Sequence, residues 1–167
     1  MPTHEPTPAG LLEAVHAAAG STCWSVSYGP STGSIIQVHL GGKLLRAIPL
    51  RNPAATEDER LYESEYVIYV ACAWRLDDGD RVVCSSGDAY PHYERMAEGL
   101  DGLIGAVMVG SEIRTPALDA SLTFDRGTTL HVFCDKPAGE DNYDWSTADT
   151  TYGVTSHGEL TREPREV

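Results

Sequence analysis

Basic residues are scarce in this chain of 167 residues, which has 12 lysines and arginines against 25 aspartates and glutamates. The resulting formal charge of −13 repels phosphate groups and anionic lipid headgroups. We therefore expect neither nucleic acid nor a membrane surface as a partner. A basic protein is the class of partner that this charge attracts.

Long apolar runs are also missing. The first ten residues, MPTHEPTPAG, contain neither the basic segment nor the apolar segment of a secretory signal. No later stretch approaches the roughly 20 apolar residues that a membrane-spanning helix needs. The sequence therefore predicts a cytoplasmic protein.

Spacings typical of metal sites are absent too. The four cysteines form no C-x-x-C pair, and the six histidines form neither H-x-H nor H-E-x-x-H. The acidic stretch GEDNYD, residues 139–144, lacks the frame of a calcium-binding loop. We expect no resident metal and no cofactor.

Cys72 and Cys84 lie almost equally far from a predicted turn at residues 77–79, so we expect them to be cross-strand neighbours. The sequence alone allows either a disulfide between them or two free thiols. A reducing compartment favours free thiols.

One motif of catalysis is present: Gly29, Ser31 and Gly33 spell G-x-S-x-G, the spacing of a nucleophile elbow. An elbow requires a helix directly after the serine. Here the alternation of Ile36 and Val38 with polar residues predicts a strand instead. We therefore interpret residues 29–33 as a hairpin loop and expect no catalytic residue and no enzyme.

The pattern of apolar residues and turn residues predicts one α+β domain over residues 1–167, with a mostly antiparallel sheet and two helices. The helices are expected at 8–20 and 91–104, and residues 49–61 are expected to form an exposed loop. A single central strand is predicted for the apolar run 66–76. Further strands are expected at 22–28, 34–40, 43–48, 81–86, 106–113, 118–124, 128–134, 151–155 and 159–162, the second and third joined by a hairpin at Gly41-Gly42.

Two degenerate helix-plus-hairpin repeats, over residues 8–88 and 91–162, also fit the sequence. The glycines that end the two helices, Gly20 and Gly105, are separated by 85 residues, and so are the hairpin glycines Gly42 and Gly127.

Residues 135–152 are expected to form a loop, which is the most distinctive polar segment because aromatic residues are interleaved there with carboxylates. Aromatic anchors surrounded by charge are typical of protein interfaces, where acidic residues speed the capture of a basic partner. An alternative is that the tryptophan folds back and caps an open end of the sheet. The predicted partner-binding residues are Asp141, Tyr143, Asp144, Trp145, Asp149 and Tyr152.

The stretches WRLDDGDRVV, LDGLIGAVMV, LDASLTFDRGTTLHVF and DNYDWSTADTTYGVTSHGEL resemble small bacterial proteins encoded beside polymorphic toxins, which are taken to be immunity proteins. The resemblance covers residues 74–162 and implies no catalytic residue. It rests on core and turn positions, namely Trp74, Leu76, Leu122, Phe124, Gly127, Leu130, Phe133 and Trp145.

Two hypotheses of function follow. In the first, the chain is a non-enzymatic cytoplasmic binding protein, such as an immunity protein that neutralises a basic toxin domain. In the second, it is a small enzyme or ligand-binding domain whose site is assembled from dispersed polar residues, nominally Ser31, His131, Asp141 and His157. The identity of the partner and the oligomeric state stay open.

Overall fold

The computed structural model describes residues 5–167, and this range contains three α-helices and eleven strands in two antiparallel sheets. The predicted α+β fold is therefore confirmed. The helices are α1 (Pro8–His16), α2 (Glu57–Leu61) and α3 (Tyr93–Asp101). The strands are β1 (Cys23–Ser27), β2 (Ile36–Leu45), β3 (Tyr62–Val70), β4 (Ala73–Asp78), β5 (Arg81–Ser85), β6 (Met108–Arg114), β7 (Asp119–Phe124), β8 (Thr128–Phe133), β9 (Asp141–Ser146), β10 (Thr150–Thr155) and β11 (Leu160–Pro164).

The two sheets share one hydrophobic core. The first sheet has the order β1-β2-β3-β9-β10-β11, and the second has the order β5-β4-β8-β7-β6. Two aromatic side chains tie the sheets together through polar tips. Trp74 Nε1 donates to the carbonyl of Ser34 at 2.7 Å, and the Tyr143 hydroxyl donates to the carbonyl of Leu118 at 2.7 Å. Buried aromatic residues with a satisfied polar group fix the two layers at defined positions.

The two halves of the chain exchange strands between the sheets. The first half supplies β1, β2 and β3 to the first sheet and β4 and β5 to the second, while the second half supplies β6, β7 and β8 to the second sheet and β9 and β10 to the first. The halves meet in a reciprocal set of backbone hydrogen bonds: Gly20 donates to Met108 at 2.8 Å, and Gly105 donates to Cys23 at 2.7 Å. Each half therefore runs helix, three strands in one sheet and two in the other, but α2 between β2 and β3 and the further strand β11 of the first sheet have no counterpart in the opposite half. Descent from a duplication stays a prediction.

The α1 helix begins as the sequence predicts, because the Thr7 side chain accepts a hydrogen bond from Gly10 N and Pro8 occupies the first turn. It ends at His16 and continues as a turn to Gly20, whose φ of +89° suits glycine. The predicted helix 91–104 is shorter in the structure, where α3 buries Met96 and Leu100, and Tyr93 packs against the core. Ile104 lies after the helix and is 44% exposed.

The predicted single strand over residues 66–76 is wrong, because the chain leaves the first sheet at Ala71 and Cys72 and enters the second as β4. Both backbone N–H groups donate to the carbonyl of Asn142, at 2.9 and 3.1 Å. Each sheet buries one apolar face in the shared core, so the apolar pattern continues through the crossover and hides it.

The Gly41-Gly42 pair does not form a hairpin. It lies in a bulge inside the continuous strand β2, where Leu40 pairs with Tyr66 and Lys43 pairs with Ser64. A Cβ on Gly41 would lie 2.8 Å from the Glu65 carboxylate, and that carboxylate accepts a hydrogen bond from Gly42 N at 2.9 Å. The glycines thus make room for a side chain.

A short third helix, α2, occupies part of the predicted loop 49–61. Its first turn has a capping box, in which Glu59 N donates to the Thr56 hydroxyl and Thr56 N donates to the Glu59 carboxylate. The predicted hairpins β4–β5 and β7–β8 are present. The second turns at residues 125–127 as predicted, whereas the first turns at residues 79–80 and not at 77–79, because Asp77 and Asp78 still pair with β5. No helix among the described residues is long and apolar enough to cross a membrane.

Candidate functional site

The predicted partner-binding segment 135–152 is a loop over only half of its length. Residues 141–146 form β9 inside the first sheet, between β3 and β10. Its side chains alternate, so that Tyr143 and Trp145 enter the core while Asp144 lies on the outer face. Tyr152 is 9% exposed and also belongs to the core. The expectation that these aromatic residues anchor a partner is therefore wrong, because the period of two buries them.

Trp145 has a structural role. Its ring is fully buried and stacks on Tyr66 at a centroid distance of 6.1 Å. Its Nε1 donates to the carbonyl of Ala14 in the last turns of α1 at 3.2 Å. Carbonyls near the end of a helix lack partners within the helix, so this bond fastens α1 to the first sheet. The alternative, in which the tryptophan folds back and caps an open end of the sheet, is closer to the structure because the ring is buried. Trp145 nevertheless lies on β9, inside the sheet and not at an open end.

The three carboxylates of the predicted set remain accessible. Asp141 is exposed, and Asp144 is half-buried on the outer face of the first sheet, opposite Gly153 in the register of β9 and β10. A Cβ on Gly153 would lie 3.2 Å from Asp144 Oδ1 and 2.5 Å from Thr161 Oγ1, so the missing side chain leaves space for the Asp144 carboxylate.

The electrostatic environment of Asp144 is unfavourable to its charge. Desolvation by burial, followed by the nearby charges of Asp141 and Glu163, raises the pKa of Asp144 above its ordinary value. Among the described residues, none of these three carboxylates forms a salt bridge. We call Asp141, Asp144 and Glu163 the acidic face.

Asp149 lies apart, in the turn between β9 and β10. Its carboxylate accepts hydrogen bonds from the Thr147 and Thr150 hydroxyls at 3.0 and 3.1 Å, and these bonds lower its pKa. The turn itself therefore accounts for an aspartate at this position.

The outer face of the second sheet carries a chain of polar side chains that spans three strands. Ser121 Oγ on β7 lies 3.0 Å from His131 Nδ1 on β8, and His131 Nε2 lies 3.2 Å from Asp77 Oδ2 on β4. Arg75 holds the Asp77 carboxylate with two bonds of 2.8 and 3.0 Å. The serine–histidine–aspartate order is that of a catalytic triad, but the ring nitrogens are exchanged, because in the triad the serine bonds Nε2 and the aspartate bonds Nδ1.

Two features limit the reactivity of the Ser121 hydroxyl in this row of polar side chains. Ser121 is only 6% exposed, and its hydroxyl also accepts a hydrogen bond from Arg114 Nη1 at 3.0 Å. The strand register that brings Ser121 opposite His131 is set by the β7–β8 hairpin. The sequence indicated His131 as a candidate residue but not its partners. The predicted β7–β8 hairpin and the alternation of side chains together would place Ser121 opposite it.

His39 lies on the outer face of the first sheet, where α2 and neighbouring side chains cover it so that it is 6% exposed. The ring nitrogens of His39 lie 2.9 Å from the hydroxyls of Ser27 and Ser64, and burial lowers the pKa of His39 to about 4. The neighbouring Ser25 donates to Glu59 of α2 at 2.5 Å. His39 is therefore neutral at physiological pH, and this cluster holds α2 against the sheet.

The nominal enzyme residues are not joined into one site. Ser31 is exposed in a 3₁₀ turn between β1 and β2, and His157 is exposed in another between β10 and β11. Asp141 belongs to the first sheet and His131 to the second. Residues 5–167 contain no group of three or more metal-binding side chains close enough to hold an ion.

In comparisons with known proteins, no family model, no curated protein and no solved structure matches this chain.

Proposed function

We propose that the chain is a non-enzymatic, cytoplasmic protein that binds a basic protein partner through the acidic face, as an immunity protein that neutralises a toxin domain would. The observation that carries the proposal is the placement of Asp144, half-buried on the outer face of the first sheet beside the carboxylates of Asp141 and Glu163, which together with burial raise its pKa. The net charge of −13 supports the same class of partner. The resemblance to immunity proteins points in the same direction.

The arrangement favours a cationic partner for a physical reason. Ionisation of Asp144 is opposed by burial and by the two neighbouring carboxylates, so its charge destabilises the free protein. An arginine or lysine placed on this face would stabilise the ionised form and lower its pKa. Repulsion in the free protein would thus become attraction in the complex. A nuclease cleft, which must be basic to hold phosphate, offers a surface of this kind.

The test uses the product of the gene adjacent to the one that encodes this chain, expressed in a laboratory bacterium and as a purified protein. We expect the adjacent product to inhibit growth and the wild-type chain to restore it. The double variant Asp141→Asn/Asp144→Asn should associate with the purified product several-fold more slowly, with a weaker dependence on salt and little change in dissociation.

A matched control removes the same charge elsewhere. Asp80 and Glu94 are exposed near the second sheet and on α3, and Asp80→Asn/Glu94→Gln should leave association close to wild type. Equal slowing by both double variants would show that net charge, and not the acidic face, governs capture. If the adjacent product binds the chain but does not inhibit growth, the immunity role is contradicted and the binding function is not. If the adjacent product does not bind, both the immunity role and the binding function are contradicted.

The Ser121–His131–Asp77 chain favours a second candidate function, hydrolysis of an ester or amide with Ser121 as nucleophile. His131 would take the proton of the Ser121 hydroxyl, and Asp77 would orient the imidazole and stabilise its charge. The short distances of 3.0 and 3.2 Å support this candidate.

The second candidate is tested by labelling the purified chain with a fluorophosphonate probe and locating the label by mass spectrometry. Hydrolytic function predicts a label on Ser121 that is lost in Ser121→Ala and in His131→Gln but kept in Ser31→Ala. An unlabelled wild-type chain would leave Ser121 and His131 as a hydrogen-bonded pair of a sheet surface.

A further inference from the structure

Cys72 and Cys134 lie at the two places where the chain crosses from one sheet to the other. Cys72 is between β3 of the first sheet and β4 of the second. Cys134 directly follows β8 of the second sheet and precedes β9 of the first. Both thiols are free, and they belong to the same part of the molecule although 61 residues separate them in the sequence.

The strand register makes the two cysteines a cross-strand pair. Ala73 of β4 pairs with Phe133 of β8, so the next opposing positions of this antiparallel ladder are Cys72 and Cys134. Opposing Cβ atoms in antiparallel strands lie about 4.5–5.5 Å apart, whereas a disulfide needs about 3.5–4.5 Å. Closure of the bond therefore requires the two Cβ atoms to approach each other by up to about 1 Å. The Cys72 thiol is also the largest cause of a raised pKa at Cys134, which agrees with sulfur atoms that lie side by side.

Hydrogen bonds hold the backbone on both sides of the pair. Cys72 N donates to the carbonyl of Asn142 at 3.1 Å, and Cys134 N donates to Asp119 Oδ1 at 2.6 Å. The surface offers a path toward the pair: Cys72, itself 2% exposed, lines a concavity together with Ser86 and Lys136, and Cys134 is half-buried. A small oxidant can therefore approach while the backbone keeps the pair together.

The other two cysteines differ from this pair. Cys23 is fully buried and lies opposite Leu40 in the β1–β2 pair, so no cysteine faces it in that ladder. Cys84 lies opposite Leu76 in the β4–β5 pair, so it does not neighbour Cys72. The expectation that Cys72 and Cys84 face each other is wrong, because the turn lies at residues 79–80 and a register shift between Leu76 and Asp77 displaces the pairing further.

We propose that Cys72 and Cys134 are a redox-modification site that closes to a reversible intramolecular disulfide on reaction with a low-molecular-weight disulfide such as oxidised glutathione. Cys72 loses its proton and attacks one sulfur of the small disulfide, which expels one small thiolate. Cys134 then loses its proton and attacks Cys72 in the mixed disulfide, which expels the second thiolate. The two protons end on the two small thiols, and the protein pair is oxidised by two electrons.

The sequence allows a direct assay, because each cysteine lies in a different tryptic peptide. These peptides are 1–43, 61–75, 82–95 and 127–162, since the Lys136-Pro137 bond resists trypsin. The folded wild-type chain is incubated with oxidised glutathione, free thiols are blocked with N-ethylmaleimide, and the digest is analysed by mass spectrometry. We expect peptide 61–75 linked to peptide 127–162, a loss of two hydrogens in the intact mass, and release by dithiothreitol.

Two further measurements separate a built pair from accidental oxidation. Cys134→Ser should accumulate a glutathione adduct on Cys72, whereas the control Cys84→Ala should still form the disulfide. The oxidised wild type should unfold at a higher urea concentration than the reduced form, because the bond closes a long loop across both crossovers. A link from Cys72 to Cys84, or unlinked adducts only in the folded wild type, would overturn the proposal.

Discussion

Truncation of Trp145 to alanine is expected to lower the free energy of unfolding by about 4 kcal/mol. The ring is fully buried at the centre of the first sheet. A tryptophan buries about 200 Å², and about 25 cal/mol per Å² gives about 5 kcal/mol, of which the alanine methyl group retains a part. The usual cost of such truncations, about 3–5 kcal/mol, agrees with this figure.

The hydrogen bond from Trp145 Nε1 adds a separate contribution that a conservative variant isolates. Trp145→Phe keeps an aromatic ring against Tyr66 but leaves the carbonyl of Ala14 at the end of α1 without its side-chain donor. We expect this variant to lose about 1–2 kcal/mol, from the lost bond and the smaller ring. The ordering of wild type, Trp145→Phe and Trp145→Ala is thus predicted as well as the size of the loss.

The assay is urea denaturation followed by far-ultraviolet circular dichroism, because fluorescence would be altered by removal of the tryptophan. In thermal unfolding, a loss of about 4 kcal/mol corresponds to a fall of roughly 8–16 °C for a chain of this size. A wild-type melting temperature for Trp145→Ala would refute the placement of this ring in the core. It would also restore Trp145 as a candidate contact for a partner.

Four shorter predictions accompany this one. Ser31→Ala, in an exposed turn, should change the free energy of unfolding by less than about 0.5 kcal/mol and leave partner binding intact, as measured by denaturation and binding kinetics. Trp74→Ala should cost about 3–5 kcal/mol in the same denaturation assay, because the ring is 1% exposed. Arg165→Ala should cost about 3 kcal/mol, since its buried guanidinium donates to three carbonyls and to Glu63, and a near-neutral result would show that the C-terminal residues are not anchored. His39 has a pKa lowered to about 4, so the unfolded state binds its proton first as pH falls below 6.5; wild type should lose about 2 kcal/mol more than His39→Gln between pH 7 and 5, and equal losses would contradict the buried neutral ring.

Local patterns were sufficient for elements whose cause lies in neighbouring residues. The cap of α1 at Thr7 and the hairpin through Gly127 follow from side-chain chemistry within a few positions, and both are present. The bulge at Gly41-Gly42 has a different cause, because the side chain that needs the space belongs to Glu65 on the next strand. A glycine pair therefore predicts an unusual backbone conformation, and the residues of the partner strand decide whether it is a hairpin turn or a bulge.

The candidate site was less accessible to sequence reasoning, since charge and burial compete in the same stretch. Alternation in residues 142–146 already indicated that Tyr143 and Trp145 share a face opposite to Asp144, but the surrounding acidic residues suggested a loop. Asp141 and Asp149 are exposed and Asp144 is half-buried, whereas the mutual repulsion at Asp144 depends also on Glu163, which reaches the same face through the register of β10 and β11. Such a cluster exists only after three strands have paired.

The exchange of strands between the halves explains why the informative residues gather at the crossovers. Each half leaves its own sheet once, so the core closes only when both crossing segments pack side by side, and backbone groups that leave a ladder there need new partners. The buried Asn142 supplies them: its carbonyl accepts from Ala71 and Cys72, and its side chain accepts from Lys136 N and donates to Thr155 O. The same constraint that demands a buried polar residue at this point also brings Cys72 and Cys134 together. The acidic face begins one residue away, at Asp141. The crossover region therefore contains the buried Asn142, the proposed disulfide pair and the edge of the proposed binding surface. The backbone contacts of Asn142 hold all three in place.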